Sequence, residues 1–254
     1  MKLLMLSEEN DIFYHILLEA LNGLDVQIGH ADFSISEEDM NSFNPDVIIH
    51  NGKEISKINY KNAITISINE LEDDNCFSYK NPEAKNFIRP FVKPLSQDLT
   101  DGRYRSDVVY VGNPTLLPDC VSTLQADASV VFKMLNNTPV PVTQYCGSCT
   151  FNDYKKFFKM SKCSLVSKAD TVGENLSFKI LDILYSGGNP VLHTTDDQFL
   201  ADIKEAINGK SFRGNFISKE EIENDHTNYN RMSEIFQKVG LNKMSKMILA
   251  SKDK

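Results

Sequence analysis

Along most of the chain, apolar residues come in short runs broken by polar turns, and the period of each run predicts its element. Lys2–Leu6 reads as a strand, followed by the polar loop Ser7-Glu8-Glu9-Asn10. Ile12, Ile16, Leu17, Ala20 and Leu21 then recur at helical spacing, and Gly23 supplies a stop. Val26–Ile28 predicts a second strand. Pro45-Asp46-Val47-Ile48-Ile49-His50-Asn51-Gly52 is an apolar run entering a polar turn, as buried parallel strands do, and Ala63–Ile68 is another. With no hairpin signal between them, these runs predict an α/β layer with a parallel sheet.

Arg89-Pro90-Phe91-Val92-Lys93-Pro94 cannot continue a helix, and the charged stretch to Asp107 reads as a connection. The alternation then restarts. Strand Val108–Val111 leads through Gly112-Asn113-Pro114 to an expected helix over Val121–Leu135. Strand Val140–Tyr145, helix Asn152–Met160 and strand Ser164–Ser167 follow. Helix Leu176–Tyr185, the turn Gly187-Gly188-Asn189-Pro190, strand Val191–His193 and helix Phe199–Ile207 complete a second α/β unit. Glu220–Ala250 reads as one or two helices. The expected division is therefore 1–95, 96–217 and a helical segment over 218–254.

Composition changes this picture little. The 254 residues, 41% hydrophobic and 24% charged, suit a folded protein with a real core. No apolar run approaches the ~18–20 residues that span a bilayer. The opening lacks the form of a signal peptide, so a cytoplasmic location with reduced thiols is expected for Cys76, Cys120, Cys146, Cys149 and Cys163. A net charge of −8 does not favour nucleic acid. Arg89, Lys93, Arg103 and Arg105 fall close together and predict either a local basic face or a solvated linker.

The chemistry concentrates in Glu174-Asn175-Leu176-Ser177-Phe178-Lys179-Ile180-Leu181-Asp182 and the residues leading to Pro190. On a helix, Glu174 and Asp182 share a face, with Lys179 on the same side. A helix start here would offer backbone N–H groups and the positive end of its dipole to an anion. One basic side chain could then complete a diphosphate site, and an acidic one could accept hydrogen bonds from a ribose diol. The alternative is a solvated face with a Lys179–Asp182 ion pair of little worth.

This stretch resembles the donor site of GT-B glycosyltransferases of the group 1 type. It is similar to the CgeB-like branch, where Asn-x-Arg-x-Phe-Glu precedes a small helix and Gly-Gly; here Ser177, Lys179 and Asp182 stand in for the Asn, Arg and Glu. Asp107–Gly112 resembles the strand that opens the C-terminal half of these enzymes. Asp225-His226-Thr227-Asn228-Tyr229-Asn230-Arg231 resembles the His-Thr-Tyr…Arg signature of their last helix. Lys for Arg exchanges a fork for a point charge.

The resemblance implies an α/β GT-B fold, with two Rossmann-like halves facing a cleft and a C-terminal helical segment. It implies transfer of a sugar from a nucleotide-sugar, a UDP-sugar first, to a hydroxyl. No cofactor is required, and a divalent metal is not implied. Gly112 and Asn113 would approach the donor phosphates, Gln144 and Tyr145 would flank the base, Ser177 and Lys179 would hold the diphosphate, and Asp182 the ribose. Glu174 and His50 would face the donor sugar, and Asp11 is a candidate base, unless that loop merely caps the first helix.

The chain also resembles, in general style, the enzymes that glucosylate or arabinosylate 5-hydroxymethylcytosine in the DNA of T-even-like bacteriophages. That implies hydroxymethylated DNA as acceptor and partner; a glycan or lipid-linked acceptor is the equal alternative. Two other functions compete. Cys146-Gly147-Ser148-Cys149 between a strand and a helix is the pattern of a thioredoxin-like disulfide oxidoreductase, and Pro190 follows at roughly the distance of the cis-proline in that family. A sugar-nucleotide binder without turnover is the other. Zinc is not favoured, because no second ligand pair follows.

Overall fold

The structure is a computed structural model that describes residues 1–7, 12–52, 60, 63–68, 76–78, 83–94, 98–126, 128–135, 147–149, 153–170 and 177–252. They form two compact units, Met1–Lys93 with Asp225–Lys254, and Pro94–Asn224.

The first unit holds β1 (Lys2–Leu6), α1 (Ile12–Leu18), β2 (Gln27–Ala31), α2 (Glu37–Phe43), β3 (Val47–His50), β4 (Ile64–Ile68) and β5 (Cys76–Phe77). Its sheet runs β2-β1-β3-β4-β5, every pair parallel. The continuous burial of β1 and β3 matches a sheet covered on both faces. Leu4, Leu6, Met40 and Ile48 form one core under α2, which begins at the Ser36 cap and ends at Asn44 in the left-handed conformation.

The second unit contains β6 (Ser106–Val111), β7 (Val130–Leu135), β8 (Gly147–Cys149), α3 (Tyr154–Met160), β9 (Ser161–Val166), α4 (Phe178–Tyr185), β10 (Pro190–Leu192), α5 (Asp196–Ile207) and α6 (Lys219–Asp225). Its order is β10-β9-β6-β7-β8, again all parallel. Counted from β6, that is the doubly wound 3-2-1-4-5 arrangement, whose order reverses between β6 and β9. Val108, Tyr110, Cys163, Leu165 and Val191 pack on Phe199 and Ile203 of α5.

One expected element is replaced. Val121–Leu135 is not a helix: 3-10 turns cover Asp119–Ala126, and Val130–Leu135 is β7, paired with β6. Val121 and Leu124 fit a helical spacing, but the adjacent Val130 and Val131 favour the strand, and pairing with buried β6 decides it. Strand 140–145 lies outside the described residues.

The terminal helices α7 (Asn228–Lys238) and α8 (Asn242–Ser251) belong to the first unit. Thr227 caps α7 in a reciprocal capping box with Asn230. Asn228 Nδ2 donates to Ile16 O at 2.8 Å, fastening α7 to α1. The Asp225–Arg231 motif thus starts a helix, with α8 still to follow, and Arg231 has a structural task. Its side chain is wholly buried; Nε donates to Arg89 O at 3.1 Å, Nη1 to Glu234 at 2.6 Å and Nη2 to His226 Nδ1 at 2.9 Å. Burial and the Arg231 charge lower the His226 pKa from 6.5, so the ring stays neutral and accepts that bond.

Arg231→Ala should lower the unfolding free energy by about 2–4 kcal/mol in urea titrations, by stripping donors from buried carbonyls. His226 adds a pH effect. Because its folded pKa lies below the unfolded value, the unfolded chain takes up the proton first, and stability should fall as pH drops below 6.5. His226→Gln should flatten that slope.

Candidate functional site

In a doubly wound sheet, ligands bind beyond the C-terminal strand ends at the point where the order reverses. In the second unit that point lies between β6 and β9, and residues from three elements meet there. Gly112 follows β6 with φ +149, Ser167 and Asp170 follow β9, and Lys179 comes from the first turn of α4.

Ser177 starts α4 by accepting a hydrogen bond from Ile180 N at 3.1 Å. Ile180, Leu181, Ile183 and Leu184 are buried, and that stripe sets the helix rotation. The far end closes at Gly187, φ +77, with Gly188 N donating to Ile183 O at 2.8 Å. A side chain on Gly188 would stand 2.8 Å from Phe158 O, so only glycine lets α4 end this close to α3.

That rotation buries Lys179. Its Nζ sits 4.1 Å from the centre of the Tyr110 ring and 2.6 Å from Asp170 Oδ1. The Lys179 and Asp170 side chains are only 15% and 13% exposed. Asp170 is itself fixed, since its Oδ2 accepts from Ser167 N and Oγ, both at 2.9 Å. Burial pushes the Lys179 pKa down, and the Asp170 charge pulls it partly back. Among the described residues, Nζ has an ion pair but no hydrogen bond of good geometry. A methyl group on Gly112 would stand 3.0 Å from both Lys179 Nζ and Tyr110 Oη, so any side chain there would press on both groups.

The residues singled out from sequence fall into groups. Gly112 and Lys179 come together. Asn113 adjoins them, its Oδ1 turned to Thr115 N at 3.1 Å and Oγ1 at 2.9 Å. Ser177 is buried and spends its acceptor on the helix cap. Asp182 has other partners than those expected: Oδ1 pairs with Lys155 Nζ at 3.0 Å, Oδ2 accepts from Tyr154 at 2.5 Å, and neither a ribose nor Lys179 is needed to satisfy it. The solvated Lys179–Asp182 pair therefore does not form. His50 ends β3 in the first unit, fully buried and edge-on to Phe33 at 6.0 Å. Asp11, Gln144, Tyr145 and Glu174 lie outside the described residues.

Tyr110, Ser167 and Asp170 escaped the sequence reading. Strand alternation puts Tyr110 on the same face as Gly112, two residues on, and Ser-Lys-Ala-Asp is a side-chain turn signal. Both were visible, but neither pointed to Lys179.

Of the Cys-Gly-Ser-Cys pattern, Cys146 lies outside the described residues, residues 147 to 149 are strand β8, and α3 starts at Tyr154. Of the clustered cations, Arg89 pairs with Glu234 and Lys93 with Glu19 in the first unit, and Arg103 with Asp101 in the second. Among the described residues, no group of three or more His, Cys, Asp or Glu could hold a metal ion, and no helix is long and apolar enough to cross a membrane.

A separate recess of about 550 Å³ includes Lys162, Lys210 and Arg213 near the N-terminal ends of β9 and β10. Its cations are committed, Lys162 to Asp107, Lys210 to Glu205 and Arg213 to the Gly187 and Gly188 carbonyls.

No protein-family model matches the chain, and no curated protein does. Among solved structures it is similar to an α1,3-fucosyltransferase with GDP, at 11% identity over 94% of this chain and 90% of that one, with a TM-score of 0.50. The fold is GT-B. The glycosyltransferase SnogD from Streptomyces nogalater overlaps at 10% identity, 98% and 99% coverage and a TM-score of 0.39. The spinosyn forosaminyltransferase SpnP does so at 8%, 99% and 94%, and 0.41. Within this GT-B fold, two parallel sheets carry the helices, and the Lys179 cluster occupies the reversal point of the second.

Asp182→Ala should cost about 3 kcal/mol or more of stability, because it removes the counter-charge of Lys155, which is 3% exposed. Urea unfolding of Asp182→Ala beside the double variant Asp182→Ala/Lys155→Met checks this; the double variant should recover much of the loss.

Proposed function

We propose that this chain is a glycosyltransferase using a nucleoside-diphosphate sugar, and that the second unit holds the donor diphosphate at the end of β6. The observation that carries this reading is the Lys179 ammonium, kept out of water against Gly112 at the reversal point of a GT-B sheet. Its present partner is a carboxylate, and a phosphate offers the same charge with more oxygens to share. The start of α4 adds backbone N–H groups and a favourable dipole.

In the reaction, the bond from the sugar anomeric carbon to the diphosphate oxygen breaks, and a bond to the acceptor oxygen forms. The electron pair stays on the diphosphate. Negative charge therefore grows on the group beside Lys179, where a buried ammonium stabilises it more than water would. The acceptor hydroxyl gives up its proton; Asp11, Glu174 and His50 are the groups this reading keeps for that step and for contact with the sugar. Gln144 and Tyr145 remain its candidates for the base.

UDP- and GDP-sugars are the donors to try first, GDP because the similar fucosyltransferase structure contains it. For the acceptor we favour a glycan or lipid-linked hydroxyl over 5-hydroxymethylcytosine in DNA. The net charge of −8 weighs against a phosphate backbone, and Arg89, Lys93 and Arg103 are paired with carboxylates.

A thermal-shift screen with UDP-, GDP-, CMP- and ADP-sugars should raise the melting temperature with one of them. Lys179→Ala should weaken that donor by about 1–3 kcal/mol, roughly 5- to 150-fold; an unchanged Kd would remove the assignment. Because burial lowers the Lys179 pKa below 10.5, donor affinity should fall as alkaline pH discharges the ammonium, and Lys179→Arg should resist that fall. Turnover on glycan primers against hydroxymethylated DNA separates the two acceptors.

A further inference from the structure

Tyr110 carries a feature that the packing of the second unit does not use. Its ring is wholly buried, in one core with Val108, Leu165 and Phe199, and serves there as an apolar wall. Its hydroxyl stands at the ligand end of β6 beside Ser167 and Asp170 but, among the described residues, makes no hydrogen bond of good geometry. A buried hydroxyl left without a well-formed bond is destabilising, and phenylalanine would avoid that cost at nearly the same volume. Lys179 Nζ, likewise buried without a well-formed hydrogen bond, lies against the same side of Gly112.

We infer that the Tyr110 hydroxyl is a second donor to the phosphate oxygen that Lys179 neutralises, with glycine at 112 letting the backbone pass close to both groups. The inference rests on reading the cluster as a diphosphate site, and adds a specificity-determining residue to it. One neutral O–H and one ammonium, approaching from two directions, fix the position of an oxygen where a lone point charge would only attract it. Asp170, held by Ser167, keeps the ammonium in place. The face of Tyr110 holds the same ammonium by cation–π attraction, so one side chain positions the cation and reaches the ligand. Gly112 is needed twice over, because a methyl group would crowd both donors and because φ +149 disfavours any other residue.

The test is calorimetric titration of the full chain with inorganic pyrophosphate and with GDP and UDP, alongside its thermal unfolding. Tyr110→Phe should fold, melt at the same or a higher temperature because a buried hydroxyl without a well-formed bond is gone, and bind pyrophosphate and the preferred nucleotide about 10-fold more weakly. Gly112→Ala should lose binding to a greater extent. A Tyr110→Phe variant that binds both probes like the parent overturns the inference, and a lower melting temperature with unchanged affinity does so too, by making the hydroxyl structural. Should Lys179→Ala still weaken binding in either case, the donor-site reading survives alone. Pyrophosphate binding that depends on Tyr110, with no affinity for any nucleotide, would keep the inference and sink the nucleotide reading. Absence of binding to every probe overturns both.

Discussion

A lysine ammonium removed from water is the constraint around which the second unit is arranged. Desolvation favours the neutral amine, so a charged Lys179 has to be supported by its surroundings. Asp170 supplies the counter-charge, the face of Tyr110 supplies cation–π attraction, and Gly112 lets the backbone pass close to both. These groups come from α4, the turn after β9, and β6 with its following residue. None is near the others in sequence except Tyr110 and Gly112. Parallel pairing of β6 with β9 is what brings them within reach of one another.

Much of the remaining packing keeps that helix in place. Ser177 fixes where α4 starts, and the Gly187-Gly188 turn fixes where it stops, with Arg213 on the freed carbonyls. Asp182, paired with Lys155 and Tyr154 of α3, ties the middle of α4 to its neighbour. Lys179 faces the strand ends and Asp182 faces α3, although they are only three residues apart. The first unit has its own buried cation, Arg231, but its purpose differs. It binds the carbonyl of Arg89 and the ring of His226, fastening the segment that leaves β5 to the start of α7. One cation closes a structure; the other stands at the reversal point of the second sheet.

How far this was legible in the chain depends on the range of the interaction. Strands β1, β3, β4, β6 and β9 and helices α4 and α5 could be read within a few residues, because apolar period, caps and glycine stops are local signals. The placement of Gly112 beside Lys179 came from the resemblance to GT-B enzymes. The helix over Val121–Leu135 was misplaced because two apolar residues at helical spacing preceded a strand whose identity depends on the neighbour it pairs with. Asp182 was paired with the wrong lysine for a similar reason. Lys179 is close to it along the helix, yet Lys155, from another helix, is the one that meets it. The Cys-x-x-Cys pattern suggested a helix start, and the sheet turned its last three residues into β8.

By itself, the sequence determined the α/β character, the two parallel-sheet units and the boundaries of most of their elements. Those follow from hydrophobic period and turn chemistry, which act over a handful of residues. Only the tertiary structure decided which charge meets which, that α7 and α8 complete the first unit, and that Tyr110 and Asp170 share a site with Lys179. The physical reason is that burial and electrostatic partnership depend on distances across strands and between helices, and a chain read residue by residue does not contain those distances.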